Sequence, residues 1–285
     1  MGYRNKVISA GEIYHVTQRA PGKEKLFVED SDYLNMLSSL KDWVKEFDLT
    51  IFSFCFMPNH YHILLKINKP NLSKAMQCLN TSYGMRFNKK YQRKGHVFCG
   101  VYRASICLDD MHFIGSSFYI HLNPQKARIV EDALDYRWSS VNLYNNPEIK
   151  SFVKNDLILG IINNDLRKAA LLYKDMLKEY SYVKYENIIE NPKAGINFAK
   201  GIFKSLSKTL QNRNIKKDFI GAEINLDDMI AEFKKKEQKK TPEEKKGLIY
   251  LVEQLKSRGY NVTERAKILN VSRQALYSLT NKVEP

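Results

Sequence analysis

The elements legible in this chain of 285 residues run β-α-β-β-α-β and then helix. That order predicts an α+β fold: a ferredoxin-like antiparallel sheet with helices on one face, followed by an all-α C-terminal region. Two further observations agree. Every run that reads as a strand lies before position 108, and beyond Trp138 the periodicity is that of amphipathic helices. A hydrophobic content of 44% is enough for a buried core.

Taken in order, Ile13-Tyr14-His15-Val16-Thr17-Gln18-Arg19 alternates and is rich in β-branched and aromatic residues, the signature of a strand. Asp30 or Ser31 is placed to cap a helix over 32–47, with Leu34, Leu37, Leu40 and Val44 on one face. Residues 49–56, dense in Ile and Phe, form a second strand. Met57-Pro58-Asn59 is turn chemistry, and 60–67 returns as a third strand. A helix over 73–90 follows, then a loop bracketed by Gly95 and Gly100, a fourth strand over 102–107, and a helix over 111–122 opened by Asp109 or Asp110. Three domains are expected: 1–145 for the sheet and its helices, 146–235 for a helical region, and 236–285 for a C-terminal helical unit.

Charge bounds the partners. Lys and Arg number 46 against 31 Asp and Glu, a formal +15. That excess fits a polyanion such as nucleic acid, although a ribosomal or membrane surface would also attract it. No stretch approaches the ~18–20 apolar residues of a membrane span, and Met1–Val7 has no signal-peptide core, so the expected location is cytoplasmic with no membrane partner. The cysteines at 55, 78, 99 and 107 form no CxxC pair. GxxxxGK[ST] and GxGxxG are both missing, which leaves NTP-driven and dinucleotide chemistry without support.

The chemistry-bearing candidates are few. His60 and His62 open the third strand two residues apart, so both imidazoles project from one face and can hold one divalent cation. The competing reading is two polar residues on an exposed strand face. Tyr119 and Asn123 are i and i+4 on a helix, which sets a phenol beside an amide oxygen. Pro124 is expected to end or bend that helix. His121 points elsewhere, to a phosphate or into packing, and His15 in the first strand reads as a sheet histidine with its needs met, a place near the site being the alternative.

Four ordered motifs, Tyr14-His15-Val16-Thr17, Met57-Pro58-Asn59-His60-Tyr61-His62, Tyr119-Ile120-His121-Leu122-Asn123-Pro124 and Arg137-Trp138-Ser139-Ser140, resemble the REP-associated tyrosine transposases. These are a branch of the HUH-nuclease superfamily, related to the small single-tyrosine insertion-sequence transposases, and the resemblance covers residues 8–145. It implies a metal held by His60 and His62 with Asn123 as third ligand, Mg²⁺ or Mn²⁺ as cofactor, and Tyr119 as nucleophile. It implies nicking and strand transfer on hairpin-forming single-stranded DNA through a 5′-phosphotyrosine. Cys99 stands where this family usually has Gln, and Val101 where Arg is common.

DNA contacts have further candidates. Arg86, Lys89, Lys90, Arg93 and Lys94 interleave with Phe87 and Tyr91, a pattern suited to phosphate attraction and base stacking, or else to a solvated helix end with its rings in the core. Arg103, Lys126 and Arg128 are additional phosphate candidates. Near the C-terminus, small Ala266, Asn270 at a turn needing positive φ, Val271, capping Ser272 and then Leu276 and Leu279 resemble a Fis-like helix-turn-helix. Arg273, Gln274 and Tyr277 would then face the major groove of duplex DNA; a plain packing hairpin is the alternative. Two other functions compete with the transposase: a domesticated DNA-binding regulator that leaves the nuclease layer idle, and a metal phosphodiesterase that uses water. Monomer and homodimer are both compatible with the sequence.

Overall fold

The computed structural model describes residues 8–22, 24–107, 110–181, 248, 252, 255 and 261–276. Its elements are β1 (Ile13–Arg19), α1 (Asp30–Glu46), β2 (Leu49–Met57), β3 (His60–Ile67), α2 (Leu72–Lys90), β4 (Arg103–Ile106), α3 (Asp110–Lys126), a 3₁₀ turn (Ala133–Asp135), α4 (Val141–Asn145), α5 (Asp156–Ile162), α6 (Leu166–Tyr180) and α7 (Val262–Ile268). The sheet order is β2-β3-β1-β4 with every pair antiparallel, the arrangement expected for β-α-β-β-α-β. The two-residue Pro58-Asn59 turn joins β2 to β3 and is fastened from outside, Pro58 C=O accepting from the Leu26 and Phe27 N–H groups.

The sheet is covered on both faces, which corrects the single helical layer expected. Tyr14, Val16, Ile63, Leu65, Phe54 and Phe56 turn toward α1 and α2, where Met36, Leu40, Leu79 and Tyr83 close one core. Cys55, Met57 and Leu64 turn the other way, onto Phe113, Phe118 and Ile120 of α3. Strand alternation alone would put Ile51 and Phe54 on opposite faces. A register shift between Ile51 and Ser53 inserts one residue in β2 and brings both to the α1/α2 side, with Phe52 opposite.

Local details also depart from expectation. α1 starts at Asp30, one residue after Glu29, and the Asp32 carboxylate accepts from the N–H groups of Val28 and Glu29. Its buried face is Tyr33, Met36 and Leu40, while Leu34 is 54% exposed. α3 does not stop at Asn123. It continues through Pro124 to Lys126 and closes with Arg128 in the left-handed region (φ 57°). There Ile129 N–H donates to Pro124 C=O and Arg128 N–H to Gln125 C=O, the paired bonds of a Schellman end. A proline late in a helix removes one backbone donor but leaves the following turn intact.

The boundary expected after residue 145 does not coincide with a break in the core. Val153 pairs with Ile51, and Ile158, Leu159, Leu172, Tyr173 and Leu177 of α5 and α6 share one core with α3. These two helices bury their apolar stripes against the helix that carries Tyr119. The rest of 146–235, from 182 on, lies outside the described residues. In the C-terminal unit, Leu248, Val252 and Leu255 pack with Ala266, Leu269 and Leu276. Asn261 caps α7 reciprocally with Glu264. Asn270 takes the expected positive φ (51°), with Val271 N–H donating to Ala266 C=O. Ser272 Oγ accepts from Ala275 N–H. Leu279 and Tyr277 lie outside the described residues.

Candidate active site

Strand pairing builds one row across all four strands: Arg103 of β4 faces Thr17 of β1, Thr17 faces His62 of β3, and His62 faces Cys55 of β2. Paired residues project from the same face, so Arg103, Thr17 and His62 stand side by side beneath α3. One step along the strands, Arg19 faces His60. The imidazoles of His60 and His62 meet edge to face at 5.0 Å between centroids, as the two-residue spacing on one strand requires.

α3 then lays Tyr119 on the row. Its ring meets His62 at 5.5 Å and His15 at 5.7 Å, both edge to face, and is 7% exposed. Thr17, Arg19, Asn59, His60, His62, Cys99, Arg103 and Tyr119 are among the residues that line a cavity of about 360 Å³. Its wall toward 99–101 is fastened to β1: Cys99 N–H donates to Arg19 C=O at 2.8 Å and Gln18 Nε2 to Gly100 C=O at 2.9 Å. Cys99 and Val101, which differ from the common pattern of the resembling family, both lie on that wall.

The electrostatics follow from burial. Desolvation lowers the His60 pKa to about 4, with the Arg19 charge adding to it, and holds His62 well below its ordinary value, with His60 and His15 adding. Both imidazoles are therefore neutral at pH 7, the form that ligates a metal. Asn59 Oδ1 accepts from His60 Nδ1 at 2.7 Å, and His62 Nδ1 lies 3.0 Å from His15 Nε2. Each ring thus spends Nδ1 on a neighbour and keeps Nε2. The pair fits a divalent cation, although among the described residues no three His, Cys, Asp or Glu side chains form a metal-holding group. Burial also pushes the Tyr119 phenol up to about 12, opposed by a hydrogen bond from Asn123. Asn123 Nδ2 donates to the Tyr119 carbonyl at 2.7 Å, and the residue is not part of the cavity lining.

Residues 10–123 match the IS200-like transposase family. Every residue lining the cavity falls inside that IS200-like segment, which begins just before β1 and ends at Asn123. A solved structure of a REP-associated tyrosine transposase bound to a REP hairpin matches with a TM-score of 0.46 and 11% identity, covering 54% of this chain and 91% of that one. No curated protein matches the chain.

Other residues of the IS200-like segment and beyond are placed as follows. Arg103 is at the cavity. Arg86, Lys89, Lys90, Arg93 and Lys94 are not part of its lining. Lys90 is held by Glu29 and Asp32 at 2.6 Å each, Arg93 by Glu24 at 2.6 Å, and Arg86 donates to Ser39 at 3.1 Å. Burial alone would raise the Asp32 pKa, but Lys90, Tyr91 and two backbone N–H groups hold its carboxyl below the usual range. Phe87 is 4% exposed, inside the core, so it presents no face to a base. The stretch therefore corresponds to the bland alternative at Phe87, Lys90 and Arg93, while Lys89 and Lys94 are exposed.

Lys126 is half-buried, Arg128 is exposed, and both follow Tyr119 in sequence. Arg273 and Gln274 are exposed beyond the Ser272 cap. His121 is fully buried, bonded to Tyr173 Oη at 2.7 Å and Ser140 Oγ at 2.8 Å, hence packing and not phosphate. Trp138 has Arg137 over its ring at 4.4 Å and Tyr33 stacked at 4.4 Å, so it too is engaged. Among the described residues no helix is long and apolar enough to cross a membrane. Nothing in the sequence singled out Arg19, and His15 stood between a place near the site and a sheet histidine; the pairing register brings both to the site.

Proposed function

We propose that this protein is a metal-dependent tyrosine transposase that nicks and rejoins hairpin-forming single-stranded DNA, with Tyr119 as nucleophile. The observation that carries the reading is Tyr119 edge-on to His62 in a cavity that also holds His60, Arg19 and Arg103. The Tyr119 hydroxyl oxygen attacks phosphorus, the bond to the 3′ oxygen breaks, and a 5′-phosphotyrosine and a free 3′-OH result. A phenol that buried is a poor nucleophile unless its proton leaves as the new bond forms. Asn123 favours the phenolate by donating to it. Arg19 on β1 and Arg103 on β4, both on the same side of the β3 imidazoles, offset phosphate charge.

His60 and His62, with Asn123 as third ligand, would hold Mg²⁺ or Mn²⁺, and that ion supplies Lewis-acid polarisation of the scissile phosphate. Because the phosphoester energy is kept in the protein–DNA bond, rejoining needs no nucleotide. Lys126 and Arg128 extend the phosphate track from the end of α3, with Lys89 and Lys94 as outlying contacts. Residues 236–285 would act as a helix-turn-helix that holds duplex DNA through Arg273, Gln274 and Tyr277, in a domain apart from 1–145 and 146–235.

The test is a labelled hairpin oligonucleotide incubated with the protein and Mn²⁺ or Mg²⁺, run on a denaturing gel. Label retained on protein, and lost with Tyr119→Phe, His60→Ala or chelator, is the expected result. Cleavage without a protein-linked label would replace this reading with hydrolysis by water. Tight binding with neither product would point to a regulator.

A further inference from the structure

His15 has no part in the reaction above, yet it touches both of its principal side chains. It is 1% exposed on β1, diagonal to His62 across the β1–β3 pairing. Its Nε2 lies 3.0 Å from His62 Nδ1, and its ring packs edge-on against Tyr119 at 5.7 Å. A hydrogen bond between two ring nitrogens needs one with a proton and one without. If His62 holds a metal through Nε2, which faces away from His15, the single proton of that neutral ring would sit on Nδ1 and be donated to His15 Nε2. The His15 proton is then on its own Nδ1.

We infer that His15 is a positioning residue: it holds His62 in the Nδ1–H tautomer with Nε2 toward the cavity, while its ring buttresses Tyr119. The inference rests on the proposed metal role of His62. His15 is 1% exposed, and its Nε2 stands at hydrogen-bond distance from His62 Nδ1, placed to act as the acceptor. The two ligands are thereby oriented by unlike means. His60 has its neighbour Asn59, on the exposed turn, and His62 has a buried ring on the next strand.

Two measurements on the DNA-free full chain test this. Nitrogen-15 imidazole correlations report the His62 tautomer, and Mn²⁺ titration by calorimetry reports affinity, for the wild type, His60→Ala, His15→Leu and His15→Gln. The expected results are an Nδ1–H His62 in the wild type, Mn²⁺ binding lost in His60→Ala, and affinity about 10–100-fold weaker in His15→Leu, with a mixed tautomer. His15→Gln, whose amide oxygen can accept the same proton, recovers most of it. Wild-type affinity and an unchanged tautomer in His15→Leu overturn the inference and leave the metal reading standing. A wild type that binds no Mn²⁺, or binds it equally without His60, overturns the metal reading and with it the purpose assigned to His15. Should His15→Leu fail to fold, the wild-type tautomer and His15→Gln decide: an Nε2–H His62, or no binding by the Gln variant, overturns the inference.

Discussion

Both faces of the sheet are closed by packed rings, but beneath α1 and α2 the buried tyrosines Tyr61 and Tyr83 each make one separate hydrogen bond, to Asn80 and to the Leu26 carbonyl, whereas beneath α3 the polar groups join into a chain. On the first side Phe27 stacks on Tyr33 at 4.5 Å and Phe54 on Phe56 at 4.8 Å. On the second, His121 bridges Tyr173 and Ser140, Tyr173 meets Ser117 at 2.7 Å, and Tyr144 donates to the Phe52 carbonyl at 2.9 Å. Apolar contact rewards area and is indifferent to a small rotation. A hydrogen bond is not, because it weakens steeply off axis. The face that carries Tyr119 is the one where such bonds run on as a fully buried chain, Ser117–Tyr173–His121–Ser140.

The sharpest way to break this contrast is Tyr119→Phe, which removes one oxygen from the α3 face. Adduct formation should fall more than ~10⁴-fold, about 5 kcal/mol of barrier, with the unfolding midpoint in urea little changed. Next comes Phe56→Ala on the opposite face, 1% exposed. It should cost about 3–5 kcal/mol of stability, while the rate of adduct formation per folded molecule stays near that of the wild type. A large rate loss there would mean that the two faces are not separable.

His121→Leu keeps the volume and deletes the bridge, leaving Tyr173 and Ser140 without that partner. Stability should drop by about 1–3 kcal/mol, and strand transfer should slow as well, since α3 loses its pin. Smallest is Lys90→Met, expected to leave single-stranded DNA affinity and its salt dependence unchanged, because Lys90 already serves Asp32 and Glu29. Arg103→Met, at a residue that lines the cavity, should lower the salt slope by about one.

Strands β1 to β3 and helices α1 to α3 were legible because period and turn chemistry are local, and so were the His60/His62 pair and Tyr119 with Asn123. What escaped was set by pairing register. His15 and Arg19 become neighbours of His62 and Tyr119, or of His60, only once β1 is aligned against β3 and covered by α3. The basic stretch near Lys90 was ambiguous for the same reason: its acidic partners come from α1 and the loop before it, 58 residues earlier for Lys90–Asp32 and 69 for Arg93–Glu24. The added residue in β2 and the passage of α3 through Pro124 each override a local rule, the first by sheet packing, the second by a helix end that finds other donors.

The course of α3 through 119–123 has an evolutionary consequence. Each residue of a helix turns its successors by about 100°. Positions 119 and 123 share one side of the helix, where Tyr119 lines the cavity and Asn123 bonds back to it, and position 121 faces the buried bridge to Tyr173. An inserted or deleted codon between them would rotate one set onto the other's job and disable both at once. This stretch can therefore drift by replacement but not by changing length, while the exposed 94–96 segment outside the cavity is free of that phase and can absorb an extra residue.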